Sequence, residues 1–236
     1  MICLTFDTDW MTDHALARFM TDFPIPGRAT FFLHDKFPSF AANGHELCPH
    51  PFIRDLDDWH SSLVTLAGAL PIPPRGVRPH SCVFSHMVGV ELHAMGYHYV
   101  SQATNLFQQG LAPLRHPWGI WELPIYYMDN MDFCMAKNWP DLQHEPFSAD
   151  VIRIATEQEG LFVFDFHPIH IALNTRNHDE YQAVKRRIVR DGVSPFEITF
   201  SGRGVRTFFE ELCCAMSKRR QVSFTCSDAL THLVCA

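Results

Sequence analysis

The chain has 236 residues, of which 47% are hydrophobic, and its formal net charge is −7 at pH 7. This length and composition can bury one large core, in a single α/β barrel or in two small domains. Apart from the short basic run 218–220, the charges are spread along the chain, so the balance does not favour binding to nucleic acid, and no apolar run is long enough to cross a membrane.

The cysteines predict free thiols rather than disulfides. None of the eight forms a Cys-x-x-Cys pair, and Cys213 and Cys214 are adjacent. Because the first predicted strand begins at residue 2, there is also no room for a secretory leader before it. We therefore expect a reduced, cytoplasmic protein. The 15 histidines favour an enzyme, since imidazole is a common metal ligand and is both an acid and a base near neutral pH.

Strands and helices are predicted to alternate, as they do in a parallel sheet or barrel. In residues 2–7, apolar side chains alternate with smaller or polar ones, and Thr12 and Asp13 can begin a helix that runs to about Met20. Residues 102–119 are polar and irregular and are the best candidate for a loop over a site. The chain has no repeat or long linker, so a single domain of residues 1–236 is expected. The other predicted elements are strand 29–33, strand 45–48, helix 57–70, strand 76–79, helix 84–95, strand 97–101, strand 121–128, helix 149–156, strand 161–166, helix 179–190, helix 205–217, a short strand and a C-terminal helix.

Polar residues follow four of the predicted strands. They are Asp7, Asp9, His50, Arg78, His80, His167 and His170. If the strands are parallel, these ends meet on one rim of the fold. One acid and two imidazoles with an open fourth position form a common catalytic zinc site, and Asp9, His50 and His80 fit it, leaving Asp7 free. Taken singly, the two acids could instead belong to a turn, and each histidine could be a core or surface residue.

Five short segments, spread over residues 3 to about 175, carry a family resemblance. They are residues 4–9 (LTFDTD), 29–32 (ATFF) with 44–47 (GHEL) and 50–51 (HP), 78–81 (RPHS), 122–125 (ELPI) and 166–170 (FHPIH). In this order they resemble the motifs of the NodB-homology polysaccharide deacetylases (carbohydrate esterase family 4), and most closely those of the WbmS-like branch.

The resemblance implies a distorted (β/α) barrel of about seven strands and the hydrolysis of an N-acyl group, typically acetyl, from a sugar. It also implies that Asp7 is the catalytic base and that Asp9 binds one divalent metal. Zinc is the first expectation for this metal, with cobalt, nickel or iron as alternatives. Without an export signal, the expected substrate is a sugar, a nucleotide-linked sugar or a lipid-linked sugar in cytosolic assembly of an O-antigen-type surface polysaccharide.

The second motif departs from the family pattern, which supplies two metal-binding histidines four residues apart. Here His50 is followed four residues later by Arg54. We predict His80 as the third ligand, since its Arg-x-His-Ser segment is similar to that of the WbmS-like branch. His45 is the competitor, but it lies five residues before His50, and this odd spacing turns its side chain to the opposite face of an extended segment.

The remaining motif residues suggest an acid–base pair. Arg78 is expected to keep Asp7 ionised and oriented, although a surface salt bridge of little consequence is the alternative. His167 is expected to protonate the departing amine. Asp165, two residues earlier on the same strand face, could orient His167 or could be a polar residue of the barrel interior. His170 is a second candidate for the acid, or it orders the turn that follows it.

Five residues are candidates for the substrate-binding surface. The side chains of Trp10, Trp121 and Tyr126, with Tyr127 beside the last, could stack on sugar faces, although most such aromatic residues belong to a core. Asp129 could face the substrate, could hold the side chain of Arg78 or His167 in place, or could be a solvated acid in a loop.

Two other functions stay open at this point. A deformylase or another amidohydrolase of the same superfamily would have the same fold and ligands and would differ only in its pocket. A carbohydrate-binding protein without catalysis would result if Arg54 marks the loss of the metal.

Overall fold

The computed structural model describes residues 1–40, 42–52, 58–138 and 144–234, with 136–138 described by their backbone alone. Arg54 and Asp57, the predicted first residue of a helix, therefore lie outside the described residues. Two short 3-10 helices cover His80–Cys82 and Pro195–Glu197. The other elements are β1 (Ile2–Asp7), α1 (Asp13–Asp22), β2 (Ala29–Leu33), β3 (Glu46–Pro49), α2 (Asp58–Gly68), β4 (Gly76–Val77), α3 (His86–Ala94), β5 (Tyr99–Val100), β6 (Leu114–Arg115), β7 (Trp121–Glu122), β8 (Ile125–Met128), α4 (Asp129–Asn138), α5 (Ala149–Glu157), β9 (Phe162–Phe166), α6 (Pro168–Leu173), α7 (His178–Val189), α8 (Val205–Lys218) and α9 (Cys226–Val234).

Two sheets form the centre of the molecule. Five parallel strands pair in the order β3-β2-β1-β9-β8, and a second sheet has the order β4-β5-β7-β6, with β6 antiparallel to β7. Backbone hydrogen bonds join the sheets at two places: Arg78 N donates to Pro49 O at 3.3 Å, and Ile125 N donates to Ala103 O at 2.8 Å. The expected α/β fold with parallel strands is thus confirmed, and its strands form two sheets that are joined by these hydrogen bonds.

The alternation of side chains along β1 and β9 separates an apolar face from a polar one. On the apolar face, the ring of Phe6 stacks on those of Phe31 and Phe166, with centroids 4.9 and 6.3 Å apart, and helices α1, α6 and α8 supply apolar residues to the same core. Burying each such ring contributes about 2–3 kcal/mol to stability. On the opposite face, Thr5 and Asp165 are fully buried against polar partners inside the fold. The packing of the helices therefore directs the polar side chains of these strands toward the site.

The predicted strand 121–128 is wrong as a single element. Trp121–Glu122 pairs in the second sheet, whereas Ile125–Met128 pairs in the first. Pro124 lies between them and has no N–H to donate to a strand ladder, so it marks the point where the chain passes from one sheet to the other.

Four further details differ from the sequence predictions. Helix α4 starts directly after β8, and one residue, His167, separates the start of helix α6 from the end of β9; neither helix was expected. The irregular segment 102–119 contains the short strand β6. The strand expected before the C-terminal helix is reduced to a single bridge between Gly27 and Ser223. No described helix combines the length and hydropathy needed to cross a membrane.

Candidate active site

The site lies at the carboxyl ends of the parallel strands. Asp7 is the last residue of β1, His50 directly follows β3, Arg78 directly follows β4, and His167 directly follows β9. Because these strands run in parallel, their ends lie on one side of the fold, as the sequence analysis expected. Asp9, in the turn after β1, and His80, in the turn after β4, lie beside this group.

Asp9, His50 and His80 form the candidate metal centre. Asp9 Oδ2 lies 3.0 Å from His80 Nδ1 and 3.5 Å from His50 Nε2, and these two ring nitrogens are 3.4 Å apart. The other carboxylate oxygen, Asp9 Oδ1, is buried and has no hydrogen-bond partner among the described residues. A buried carboxylate oxygen without a partner is costly, and a cation would satisfy it. One carboxylate and two imidazoles therefore fit a zinc-type site with an open position.

Neighbouring groups orient both histidines. His50 Nδ1 faces the carbonyl oxygen of Arg78 at 2.8 Å, so the ring donates from Nδ1 and leaves Nε2 as an acceptor toward Asp9. The ring of Phe52 packs against that of His80 with centroids 4.1 Å apart. Burial alone would raise the pKa of Asp9, but His50 and His80 outweigh it and keep that pKa well below its usual range. Asp9 is therefore ionised in the folded chain.

Arg78 is fully buried and binds two acids. Its Nη1 donates to Asp7 Oδ1 at 2.9 Å and to Asp165 Oδ1 at 2.7 Å, and its Nε donates to Ser101 O at 2.7 Å. Burial raises the pKa of Asp165 to about 8, with Arg78 opposing the rise. A surface salt bridge, the alternative interpretation of Arg78, is therefore wrong. Asp7 Oδ2 faces the metal centre, 3.7 Å from His50 Nε2.

The acid that orients His167 is Asp129 and not Asp165. Asp129 Oδ1 lies 2.7 Å from His167 Nδ1, and Asp129 Oδ2 accepts from the backbone N–H of His167 at 2.8 Å. Asp129 is fully buried, so the prediction that it faces the substrate or solvent is wrong. Burial lowers the pKa of His167, but the charge of Asp129 outweighs this and raises the pKa to about 10. The free nitrogen, His167 Nε2, lies 3.9 Å from Asp9 Oδ2.

His170 is placed differently from His167. Its Nδ1 lies 3.1 Å from Thr175 Oγ1, and its ring packs edge-on against those of Phe133 and Tyr181. Burial lowers the pKa of His170 to about 3, so the ring is neutral at neutral pH. A neutral imidazole has no proton to spare as a general acid, which favours His167 for that role and leaves His170 to order the turn.

Two adjoining cavities open above these residues. One, the base-side lobe, has a volume of about 350 Å³ and includes Asp7, His50 and Thr104. The other, the aromatic lobe, has a volume of about 320 Å³ and includes Trp10 and Tyr181. The residues that line both lobes are Asp9, His80, Ser81, Asn130, Met131 and His167. The candidate metal centre and the imidazole of His167 therefore face one shared space.

Residues 4–185 match the family model of the WbmS-like polysaccharide deacetylases. The chain belongs to this family. The resemblance to the WbmS-like branch that the sequence motifs suggested is therefore confirmed. No curated protein sequence matches the chain.

Solved structures show the same fold at low sequence identity. A protein from Bordetella bronchiseptica, assigned as a polysaccharide deacetylase involved in O-antigen biosynthesis, superposes with a TM-score of 0.68 at 21% identity, covering 90% of this chain and 89% of that one. The Bc1960 peptidoglycan N-acetylglucosamine deacetylase gives a TM-score of 0.52 at 12% identity, with 97% and 86% covered. A 4-alpha-glucanotransferase from Thermococcus litoralis also gives 0.52 at 12% identity, but only 38% of that longer chain is covered.

Three of the four aromatic residues predicted to bind substrate lie elsewhere. Tyr127 is fully buried, with its hydroxyl donating to Asp132 Oδ2 at 3.0 Å, so its prediction is wrong. Tyr126 is fully buried in the core, where its hydroxyl donates to Val151 O at 3.4 Å. Trp121 lines a different cavity, beside His98. These two predictions are also wrong, because β7 and β8 direct these rings away from the strand ends. Trp10 lies in the aromatic lobe with 38% of its surface exposed.

The backbone at the site adopts a conformation that residues with side chains rarely take. Trp10, Ser81 and Cys82 have φ angles of 60°, 56° and 54°, in the left-handed region. All three line the lobes, and each follows a predicted metal ligand within two residues. Such conformations persist where the surrounding structure enforces them, often at functional sites.

Several residues of the site were not predicted from the sequence. Asn130 lines both lobes, and its buried Oδ1 has no hydrogen-bond partner among the described residues. Its position directly after Asp129, at a strand end, was a signal that could have identified it. Tyr181 and Lys185 on α7 give no comparable signal, because only the packing of that helix brings them to the aromatic lobe.

Proposed function

We propose that this WbmS-like deacetylase is a metal-dependent hydrolase that removes an N-acyl group, most simply acetyl, from a sugar during assembly of a surface polysaccharide. The observation that carries the proposal is the shared cavity. Three metal-type donors and a carboxylate free to act as a base lie in it, together with an imidazole that a buried acid keeps protonated.

Asp9, His50 and His80 would hold the metal, since their donor atoms lie within 4.8 Å of one another. When bound, a divalent ion supplies a Lewis acid that activates water and polarises the acyl carbonyl. Zinc suits the mixed nitrogen and oxygen donors, and cobalt, nickel and iron are the alternatives to be compared.

The chain's own residues divide the proton transfers. Asp7 Oδ2 would take the proton of the attacking water, while Arg78 donates a hydrogen bond to the other carboxylate oxygen and holds the group in place. On the other side of the candidate metal centre, His167 would give a proton to the departing nitrogen, and Asp129 stabilises its charged form. Asn130 lies between the two lobes and has an amide that can bond the acyl group.

The substrate is proposed to be a nucleotide-linked or lipid-linked sugar in the cytosol. The Bordetella protein's assignment to O-antigen biosynthesis supports the same class of pathway for this chain. The cavity volumes leave room for more than an acetamido group, which agrees with a substrate of sugar size or larger.

The test combines metal analysis with a substrate panel. Purified protein is reloaded with zinc, cobalt, nickel or iron, its metal content is measured, and release of free amine is followed from N-acetyl, N-formyl and ureido sugars. We expect one metal per chain and amine release from N-acetyl sugars, and loss of activity without loss of metal in Asp7→Asn. The exposed Lys218→Gln variant is the control.

Other outcomes of this panel would replace the proposal. Release from N-formyl or ureido substrates alone would identify a deformylase or another amidohydrolase. Less than stoichiometric metal after reloading, together with retained sugar binding, would identify a carbohydrate-binding protein.

A further inference from the structure

The aromatic lobe contains a lysine side chain, that of Lys185. Of the described residues that line either lobe, Lys185 is the one lysine, and no arginine is among them. The ammonium group lies 5.1 Å from the ring centroid of Trp10 and 5.5 Å from that of Tyr181. Aromatic faces attract a cation at such distances, so the two rings position the ammonium group at this lobe.

Lys185 forms no salt bridge with a described carboxylate. In the described part of the chain, the salt bridges between carboxylates and the side chains of lysine or arginine all involve an arginine. The side chain of Lys185 is only half-buried, and the rings beside it supply no full negative charge. Its charge is therefore free to pair with an anion that enters the lobe.

The rest of the lobe does not oppose an anion. Asp9 is the one carboxylate that lines it, and that acid is assigned to the metal. The amide and imidazole side chains that line the lobe are those of Asn130, Gln182, His80, His167, His170 and His178. A negative group bound here would meet the ammonium group of Lys185, and Asp9 is the one carboxylate among the described lining residues.

Trp10 supports a binding role independently of the charge. Its backbone has a φ of 60°, and 38% of the surface of this residue is exposed although it is large and apolar. The fold thus keeps an indole in an unfavourable backbone conformation directly after the candidate ligand Asp9. An exposed indole in this position can stack on the apolar face of a sugar ring.

We propose that the aromatic lobe recognises an anionic group on the substrate, a phosphate or a carboxylate, through Lys185, while Trp10 and Tyr181 pack on the adjoining sugar. The inference rests on the proposed function, because it assumes that the N-acyl group lies at the metal centre. The substrate class would then be acidic N-acyl sugars: those linked through phosphate to a nucleotide or lipid, or those with a uronate carboxylate on the ring.

The test measures binding without turnover. Zinc-loaded protein is titrated in a calorimeter with glucose 1-phosphate, UDP-glucose, glucuronic acid and methyl glucoside, none of which has an N-acyl group. We expect at least one anionic ligand to bind about tenfold more tightly than methyl glucoside. Lys185→Gln should reduce this preference to within about twofold, Lys185→Arg should retain most of it, and Lys218→Gln should leave it unchanged.

Each arm has a separate meaning. Preference for the phosphate ligands indicates a nucleotide or lipid linkage, and preference for glucuronic acid indicates a charged sugar ring. Equal affinity for anionic and neutral ligands would overturn the inference. So would an anion preference that survives in Lys185→Gln, since the anion would then be bound by another group, such as zinc or His167. Absence of amine release from N-acyl sugars would contradict the proposed function alone, because these affinities do not depend on turnover.

Discussion

At the scale of single residues, the proposed third metal ligand is where this chain departs most from the usual pattern of the family. His80 Nδ1 lies 3.0 Å from Asp9 Oδ2, so we expect His80→Ala to weaken zinc binding by at least about 100-fold, measured by competition with a chelating dye. His45→Ala is the matched control, because His45 accepts a hydrogen bond from Ala29 N at the start of β2 and lines a different cavity. Wild-type zinc affinity in His80→Ala would exclude this ligand.

Asp129 offers a second test at one residue. We expect Asp129→Asn to lower kcat about 100-fold with no loss of zinc, because the carboxylate stabilises the protonated form of His167 but is not a proposed ligand. Asp150→Asn, which changes an exposed carboxylate on α5, is the control. If Asp129→Asn were as active as the native protein, His167 would need no charged partner and the proposed proton transfer would be wrong.

His170 makes a contribution to stability that depends on pH. Burial lowers its pKa to about 3 in the folded protein, below the ordinary value of 6.5 that applies when the chain is unfolded. Between these values the unfolded chain binds a proton that the folded protein does not, so stability is lost as pH falls below about 6.5. We expect this loss to be smaller in His170→Gln, by on the order of 1 kcal/mol per pH unit. Urea unfolding of both proteins between pH 4.5 and 7.5, in chelator, measures it, and parallel pH dependences would contradict it.

At the scale of helices and strands, the alternation of apolar and polar side chains along β1 and β9 made the site predictable. One face of these strands packs against helices, so the acids on the other face lie inside the fold. The same pattern could not identify Asp129, whose partner His167 lies 38 residues away in sequence. Helix α6 is buried at all six positions, so it has no amphipathic period to recognise. The rings at 121 and 126 were misplaced because the passage between two sheets at Pro124 is a tertiary feature.

The short strand β4 transmits packing to the site. A Cβ on Gly76 would lie 1.9 Å from the ring of Tyr99 on β5, and β4 leads directly to Arg78 and His80. We expect Gly76→Ala to lower stability by about 1–3 kcal/mol or more and to weaken zinc binding as well. Gly68→Ala on α2 is the control, since a Cβ there meets no atom within 4 Å, and alanine favours a helix. Thermal unfolding and zinc titration measure both effects. Native zinc affinity in a destabilised Gly76→Ala protein would show that β4 does not position the ligands.

At the scale of the whole molecule, the strand ends that gather at the site come from segments far apart in the sequence. Residues 9, 50, 80 and 167 can approach one another only in the folded chain, so the proposed metal site would be formed in the native state and not in the unfolded one. The parallel topology made this gathering predictable from the sequence. The position of Lys185 was not, since it depends on how α7 packs over the rim.

Metal binding should therefore stabilise the entire fold. A ligand that binds only the native state at 100 times its dissociation constant adds about 2.7 kcal/mol, which for a chain of this size raises Tm by about 5–10 °C. We expect that shift on adding zinc to protein stripped with a chelator, read by circular dichroism. His80→Ala should lose most of the shift, whereas His45→Ala should keep it, because only the former removes a donor from the site. An equal rise in Tm for both variants would mean that the stabilising zinc binds at another site. The cluster of Asp9, His50 and His80 would then not be the metal site that the proposed function requires.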